Sequence, residues 1–181
     1  MNKVQELRKR LKTERPASWK QFPDIGLYMD QVIATMRRQT IRFDDGDPIT
    51  SAMINNYIKA ELLPRANGKR YKRLHLALLT GVCTLKQVLS IRDVRMLLMR
   101  DTELSDAEEE EAYTHFQSFH DIALSEVAAE VPDCDENDRE TLIAAATRLS
   151  VRAYANKLAA ERLLEIVREN EAKSAEQEGR G

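Results

Sequence analysis

Residues 50–73, TSAMINNYIKAELLPRANGKRYKR, decide how the chain is read. Thr50 or Ser51 caps a helix, since a hydroxyl there accepts a hydrogen bond from an otherwise unpaired N–H of the first turn. Ile54, Tyr57, Ile58 and Leu62 share one helical face, and Pro64 stops the helix near Leu63. Ser51, Asn55, Asn56 and Lys59 lie away from that face. Asn67-Gly68 is the pair preferred in a two-residue type I′ turn, which takes positive φ at both positions, and it predicts a small exposed hairpin. Arg65, Lys69, Arg70, Lys72 and Arg73 place five cations in nine residues with no acid among them.

Elements on either side extend the pattern. Residues 1–15 read as a short basic helix, and Pro16 and Pro23 bracket a non-helical stretch in which Trp19 and Phe22 anchor the N-terminal segment. Asp24 then caps a helix to about Gln39 with Tyr28, Val32, Ile33 and Met36 inward, followed by a turn, FDDGDP, at 43–48. Downstream, a helix is predicted over about 74–85, and Ser90 caps another with Ile91, Val94, Leu97 and Leu98 inward. Ser105 with Glu108 forms a capping box opening a helix to about Val131. An acidic loop leads to a long helix over about 138–171, and the tail from Ser174 is expected to lack structure.

Composition supports a mostly helical chain. Of 181 residues, 43% are hydrophobic and 32% charged, with only 6 Gly and 5 Pro, too few turn formers for a barrel or sandwich. The net charge of −2 hides an asymmetry: residues 1–100 carry 20 Lys/Arg and 9 Asp/Glu, the rest 8 and 21. A basic half points to nucleic acid or another acidic surface as its partner. Cys83 and Cys134 are too few for a disulfide framework and are expected as reduced thiols. No run approaches the roughly 18 apolar residues of a membrane span. The charged N-terminus lacks a secretory signal's apolar core, so a cytoplasmic protein is expected.

The order helix, turn, helix, basic hairpin, helix is that of a winged helix-turn-helix, whose second helix enters the major groove. Residues 50–63 with Arg70-Tyr71, and LSIRDVRMLL at 89–98, resemble the mercury-resistance-regulator (MerR) family. Glu61 stands where that family has Gly, and Asn55 where it has a phosphate-holding Arg. Trp19, PDIGLYMDQV at 23–32, MINNYIKAELLP at 53–64, RYKRLHLALL at 70–79 and LKQVLSIRDV at 85–94 more closely resemble an uncharacterised bacterial family of unknown function. The resemblance implies a MerR-like fold and a regulatory role.

The resulting expectation is an all-α protein with a minimal β-wing. It has a basic segment at 1–18, a winged helix at 19–100 and an acidic helical region at 101–181 that dimerises. The partner expected is double-stranded DNA, with Ser51, Asn55 and Asn56 reading bases and Lys59, Arg65, Lys69, Arg70, Lys72 and Arg73 near phosphates. Tyr57 and Tyr71 would touch the backbone, as aromatic residues at matching positions do in MerR proteins. Leu142, Leu149, Leu163 and Val167 form the expected dimer seam, and Ile143, Val151, Tyr154 and Leu158 a second strip beside it. An effector or protein partner is compatible with this scheme, and a protein-interaction adaptor is the competing reading. Enzymatic activity is least favoured, because no nucleophile–base pair or Gly-rich phosphate loop is present. No metal or other cofactor is expected. His115 and His120 do not share a helix face at ligand spacing, and the Asp44, Asp45, Asp47 run lacks the later Glu of a calcium loop.

Overall fold

The chain was analysed as a computed structural model that describes residues 2–43, 49–99 and 104–178. All but Phe43 of the turn expected at 43–48, and the end of the tail at 179–181, lie outside the described residues. Among the described residues, seven α-helices follow in order: α1 (Lys3–Thr13), α2 (Met29–Met36), α3 (Ser51–Lys59), α4 (Arg73–Leu85), α5 (Ile91–Leu98), α6 (Asp106–Glu130) and α7 (Arg139–Glu178). The described residues are mostly helical and hold no strand, only two isolated antiparallel bridges, Leu27 with Tyr71 and Asn67 with Arg70.

α4 is the centre of the fold. Leu76, Leu79 and Val82 on it are essentially inaccessible, and Val32 and Met36 of α2, Ile54 of α3 and Val94 of α5 close around them. Full burial of such side chains stabilises by roughly 1.5–3 kcal/mol each. Tyr113 of α6 and Leu164 of α7 join the same core, which therefore draws on both sides of residue 100, the boundary read from charge. Tyr113 packs on Trp19 and Phe22, with ring centroids 6.2 and 5.3 Å away, and donates from its hydroxyl to the Ala17 carbonyl at 2.9 Å. Trp19 and Phe22 thus anchor the N-terminal segment as expected.

The basic N-terminus docks on the acidic half. α1 runs antiparallel to α6: the Lys3 N–H meets Glu136, Arg8 pairs with Asp133, and Arg15 pairs with Asp121. Part of the charge asymmetry is therefore neutralised inside the molecule. α7 is fastened at its far end, where Arg168 pairs with Asp93 of α5. The Ser90 hydroxyl and the Arg168 guanidinium hold the Asp93 carboxyl below the usual carboxylate range.

Thr50, Ser90 and the Ser105–Glu108 box cap their helices as the sequence predicts. α2 departs from expectation. Tyr28, not Asp24, is its N-cap, because residue 27 is extended and Leu27 exchanges both backbone hydrogen bonds with Tyr71 at 2.9 Å. Tyr28 itself is exposed rather than inward. The helix ends at Met36 because Gln39 turns inward, where its amide oxygen accepts from the Ala17 N–H at 3.0 Å. Ile91 and Leu97, expected in the core, are exposed on α5. α7 continues beyond Ser174 to Glu178.

Candidate nucleic-acid interface

α3 is short, and each of its faces has one use. The Thr50 hydroxyl accepts from the Met53 N–H at 3.2 Å, which starts the helix sharply. Ile54 and Tyr57 are buried, and Ser51, Asn55, Asn56 and Lys59 are exposed. The helix ends at Lys59, earlier than the Leu63 predicted. Glu61 adopts φ 55°, the Leu62 N–H donates to Tyr57 O, and the Glu61 N–H donates to Ile58 O. That pair of bonds is a Schellman motif, which calls for a left-handed residue at this position. The motif turns Leu62 and Leu63 into the core without further helix.

The turn after Pro64 is displaced by one residue from the prediction. Gly68 and Lys69 have positive φ (56° and 63°), and Asn67 and Arg70 close the turn by exchanging backbone hydrogen bonds of 3.2 and 3.0 Å. The type I′ centre is therefore Gly68-Lys69 rather than Asn67-Gly68. The hairpin goes no further, because the next residue, Tyr71, bonds to Leu27.

The cations of this region divide into two groups. Arg70 is exposed but engaged: it donates to Gly26 O at 3.0 Å and Tyr28 Oη at 2.9 Å, and its guanidinium lies 4.4 Å from the Tyr28 ring centroid. Gly26 permits this, since a Cβ there would lie 2.8 Å from the Arg70 Cβ. Arg73 donates to Phe22 O and pairs with Asp24 at 3.3 Å. Lys59, Arg65, Lys69 and Lys72 are exposed, and their side chains make no hydrogen bond or ion pair among the described residues. Lys59 ends α3, Arg65 and Lys69 lie in the connection that follows, and Lys72 precedes α4, where it also lies within electrostatic reach of Glu109 on α6.

Two expected contact residues move into the interior. Tyr57 and Tyr71 are only 3% and 5% exposed, because both complete the apolar packing on α4. Burial also raises the Tyr71 pKa. Neither ring is available to a phosphate backbone. His75, left aside in the sequence reading, supports the site from below: it is buried, and its Nδ1 accepts from the Lys72 N–H at 2.9 Å. Burial lowers its pKa, in keeping with an Nδ1 that accepts a hydrogen bond. Its position three residues after Lys72, at the start of α4, was the available sequence signal.

Of the expected seam, Leu142 and Leu149 are half-buried within the chain, while Leu163 and Val167 are exposed at 64% and 44%. The second strip is open along its length, with Ile143, Val151, Tyr154 and Leu158 exposed at 48–66%. No described helix is long and apolar enough to cross a membrane. No group of three His, Cys, Asp or Glu among the described residues is placed to hold a metal ion.

No curated protein and no solved structure matches the chain. The family described as Domain of unknown function (DUF1836) matches residues 17–119, which run from the Ala17 carbonyl that Tyr113 grips, through α2 to α5, to the first half of α6. The match takes in most of the shared core and covers more than half of the sequence, so the chain belongs to the DUF1836 family.

Proposed function

We propose that this protein is a sequence-specific transcriptional regulator that binds double-stranded DNA as a homodimer, through a MerR-like winged-helix arrangement of α3 and the turn that follows it. One observation carries the proposal. The exposed face of α3 holds Ser51, Asn55, Asn56 and Lys59, and the exposed cations Arg65, Lys69 and Lys72 follow within one connection. An Asn side chain pairs with an adenine edge through two hydrogen bonds, whereas mobile cations on a turn neutralise phosphates and release counterions. Ser51, Asn55 and Asn56 are assigned to bases, and Lys59, Arg65, Lys69 and Lys72 to phosphates. Arg70 and Arg73 shape the surface from within. No enzymatic step is part of the proposal.

A dimer is supported by the open strip of α7, since a long exposed apolar face favours association and two-fold pairing presents two half-sites. The deciding experiment is selection of bound sites from random duplex DNA, followed by fluorescence anisotropy across salt concentrations. A two-fold motif with a steep salt response supports the regulator. No binding even at low salt overturns it in favour of a protein-interaction adaptor built on the same scaffold.

A further inference from the structure

A cleft of about 810 Å³ opens between α1, the 40–43 segment, α3, the end of α4 and α6. Leu11, Ile41, Met53 and Leu124 give it apolar walls. Lys86 and His120 also line it. Lys86 donates from its ammonium to Tyr57 Oη at 3.0 Å and lies 5.3 Å from that ring's centroid. It has no carboxylate partner among the described residues. The Nδ1 of His120 is buried without a hydrogen-bond partner. Cys83 reports the field of the cleft: burial pushes its thiol up to about 11, and the charges that oppose the shift are two cations, Lys86 and Arg42. The cavity thus combines apolar walls, a positive end and an orphaned polar atom, as expected of a small-molecule site.

We propose that this cleft binds a small organic anion, an apolar ring or chain carrying one carboxylate, sulfonate or phosphate head. The head takes a charge-assisted hydrogen bond from Lys86, the imidazole supplies a second polar contact, and the body lies against Met53 and Leu124. Met53 and Tyr57 belong to the side of α3 opposite Asn55, so an occupant braces that helix from behind. Binding itself does not depend on the DNA reading, and the test observes the small molecule directly.

The full chain is titrated with anilinonaphthalenesulfonate, a fluorescent anion with an apolar body, and with the uncharged phenylnaphthylamine. The expected result is one anion site per chain. Lys86→Met should weaken the anion about tenfold, the loss of one charge-assisted bond, while leaving the neutral congener unchanged. Gln87→Glu places a negative charge on the same rim at an exposed position, at the loss of the Gln87 amide's bond to Cys83 O, so it should weaken the anion and leave the neutral congener unchanged. Decanoate should displace the dye at a concentration about tenfold lower than decanol does in the wild type, and the two should converge in Lys86→Met. Leu158→Glu on α7 should leave dye affinity unchanged. Equal anion affinity in wild type, Lys86→Met and Gln87→Glu overturns the proposal. So does a dye signal lost in Leu158→Glu but retained in Lys86→Met, which would place the probe on α7.

Discussion

α3 and α7 are both amphipathic helices, and they spend their apolar residues differently. α3 has 9 residues, and its inward side chains Ile54 and Tyr57 are buried at 0% and 3% exposure. α7 has 40 residues, and among those whose burial is described only Leu164 is buried, while Ile143, Val151, Tyr154, Leu158 and Leu163 stand in solvent. A helix gains most of its stability from packing an apolar face. In α3 that face is satisfied within the chain, and its polar face is exposed. In α7 much of the apolar face is itself exposed. The proposed function uses the two differently, taking α3 for a charged partner and α7 for an apolar one.

The contrast breaks most directly under truncation of one apolar residue in each helix. Ile54→Ala should cost about 2–5 kcal/mol in urea unfolding, as expected for a fully buried side chain. Leu158→Ala should cost less than about 0.5 kcal/mol in dilute protein, the usual limit for an exposed site. Equal costs, independent of protein concentration, would mean that α7 packs within its own chain. A second test charges the α7 strip. Sedimentation equilibrium should give about twice the 20.8 kDa chain mass for the wild type at micromolar concentration. Tyr154→Glu with Leu158→Glu should weaken self-association about a hundredfold or more, since both carboxylates would be desolvated. A wild-type protein that remains a monomer at tens of micromolar leaves the strip without a second copy as its occupant.

On the α3 side, Asn55→Ala should lose about 1–3 kcal/mol at the selected DNA site and little on unrelated duplexes. Lys69→Ala should weaken all duplexes alike and lower the salt slope by about one. An Asn55→Ala variant that weakens every sequence equally would remove α3 from base reading.

Histidine sharpens the comparison in another way. Burial lowers the pKa values of His75 and His120 from the ordinary 6.5, and α7 contains no histidine. The unfolded chain takes up protons on these rings before the folded one does. Stability should therefore be full above about pH 6.5 and fall as the pH drops through that value toward the lowered native pKa values. His75→Gln should flatten the slope, as followed by urea titration between about pH 7.5 and 5.5. Self-association through α7 should stay level between about pH 7.5 and 6, since no group on the strip titrates there.

The parts of the fold legible in the sequence are those fixed by contacts within a few residues. Thr50, Ser90 and the Ser105–Glu108 pair each bond to a backbone N–H three residues on, so a local pattern specifies them. Misread elements depend on distant partners. The start of α2 is set by Leu27 pairing with Tyr71, 44 residues away, and no periodicity in residues 24–28 encodes that bond. The split among the cations was equally hidden: Arg70 and Lys69 are adjacent, but only Arg70 meets Tyr28 and Gly26 across the same bridge. For α7, the sequence pattern favours the Leu142–Val167 stripe as the seam. In the structure that stripe is half-buried at Leu142 and Leu149 and open at Leu163 and Val167, and the far end of the helix meets the rest of the molecule through Leu164 and Arg168, a choice set by the distant core and Asp93.

The smallest expected effect concerns the end of α3, and there the backbone decides the sign. Glu61 holds φ 55°, a conformation costing a side-chain-bearing residue about 1–2 kcal/mol relative to glycine. Glycine removes that strain but makes the unfolded chain more flexible, returning about 0.5–1 kcal/mol of the gain. Glu61→Gly also deletes the ion pair with Arg95, whose side chains are 69% and 54% exposed. An exposed pair of that kind contributes between about 0 and 1 kcal/mol. The midpoints of these ranges leave a net stabilisation of about 0.3 kcal/mol for Glu61→Gly. Glu61→Ala separates the two causes, because alanine keeps the strain and loses the ion pair, so it should be neutral to slightly destabilising. Glu61→Asn, better tolerated at positive φ, should fall between them. Urea midpoints for the three variants at one salt concentration give the order Gly, Asn, Ala. All three variants lose the Arg95 pair alike, so their order reports the backbone alone: if Glu61→Gly is the least stable of the set, the flexibility of glycine outweighs the strain relieved at this positive φ, and the left-handed residue is not what limits the end of α3.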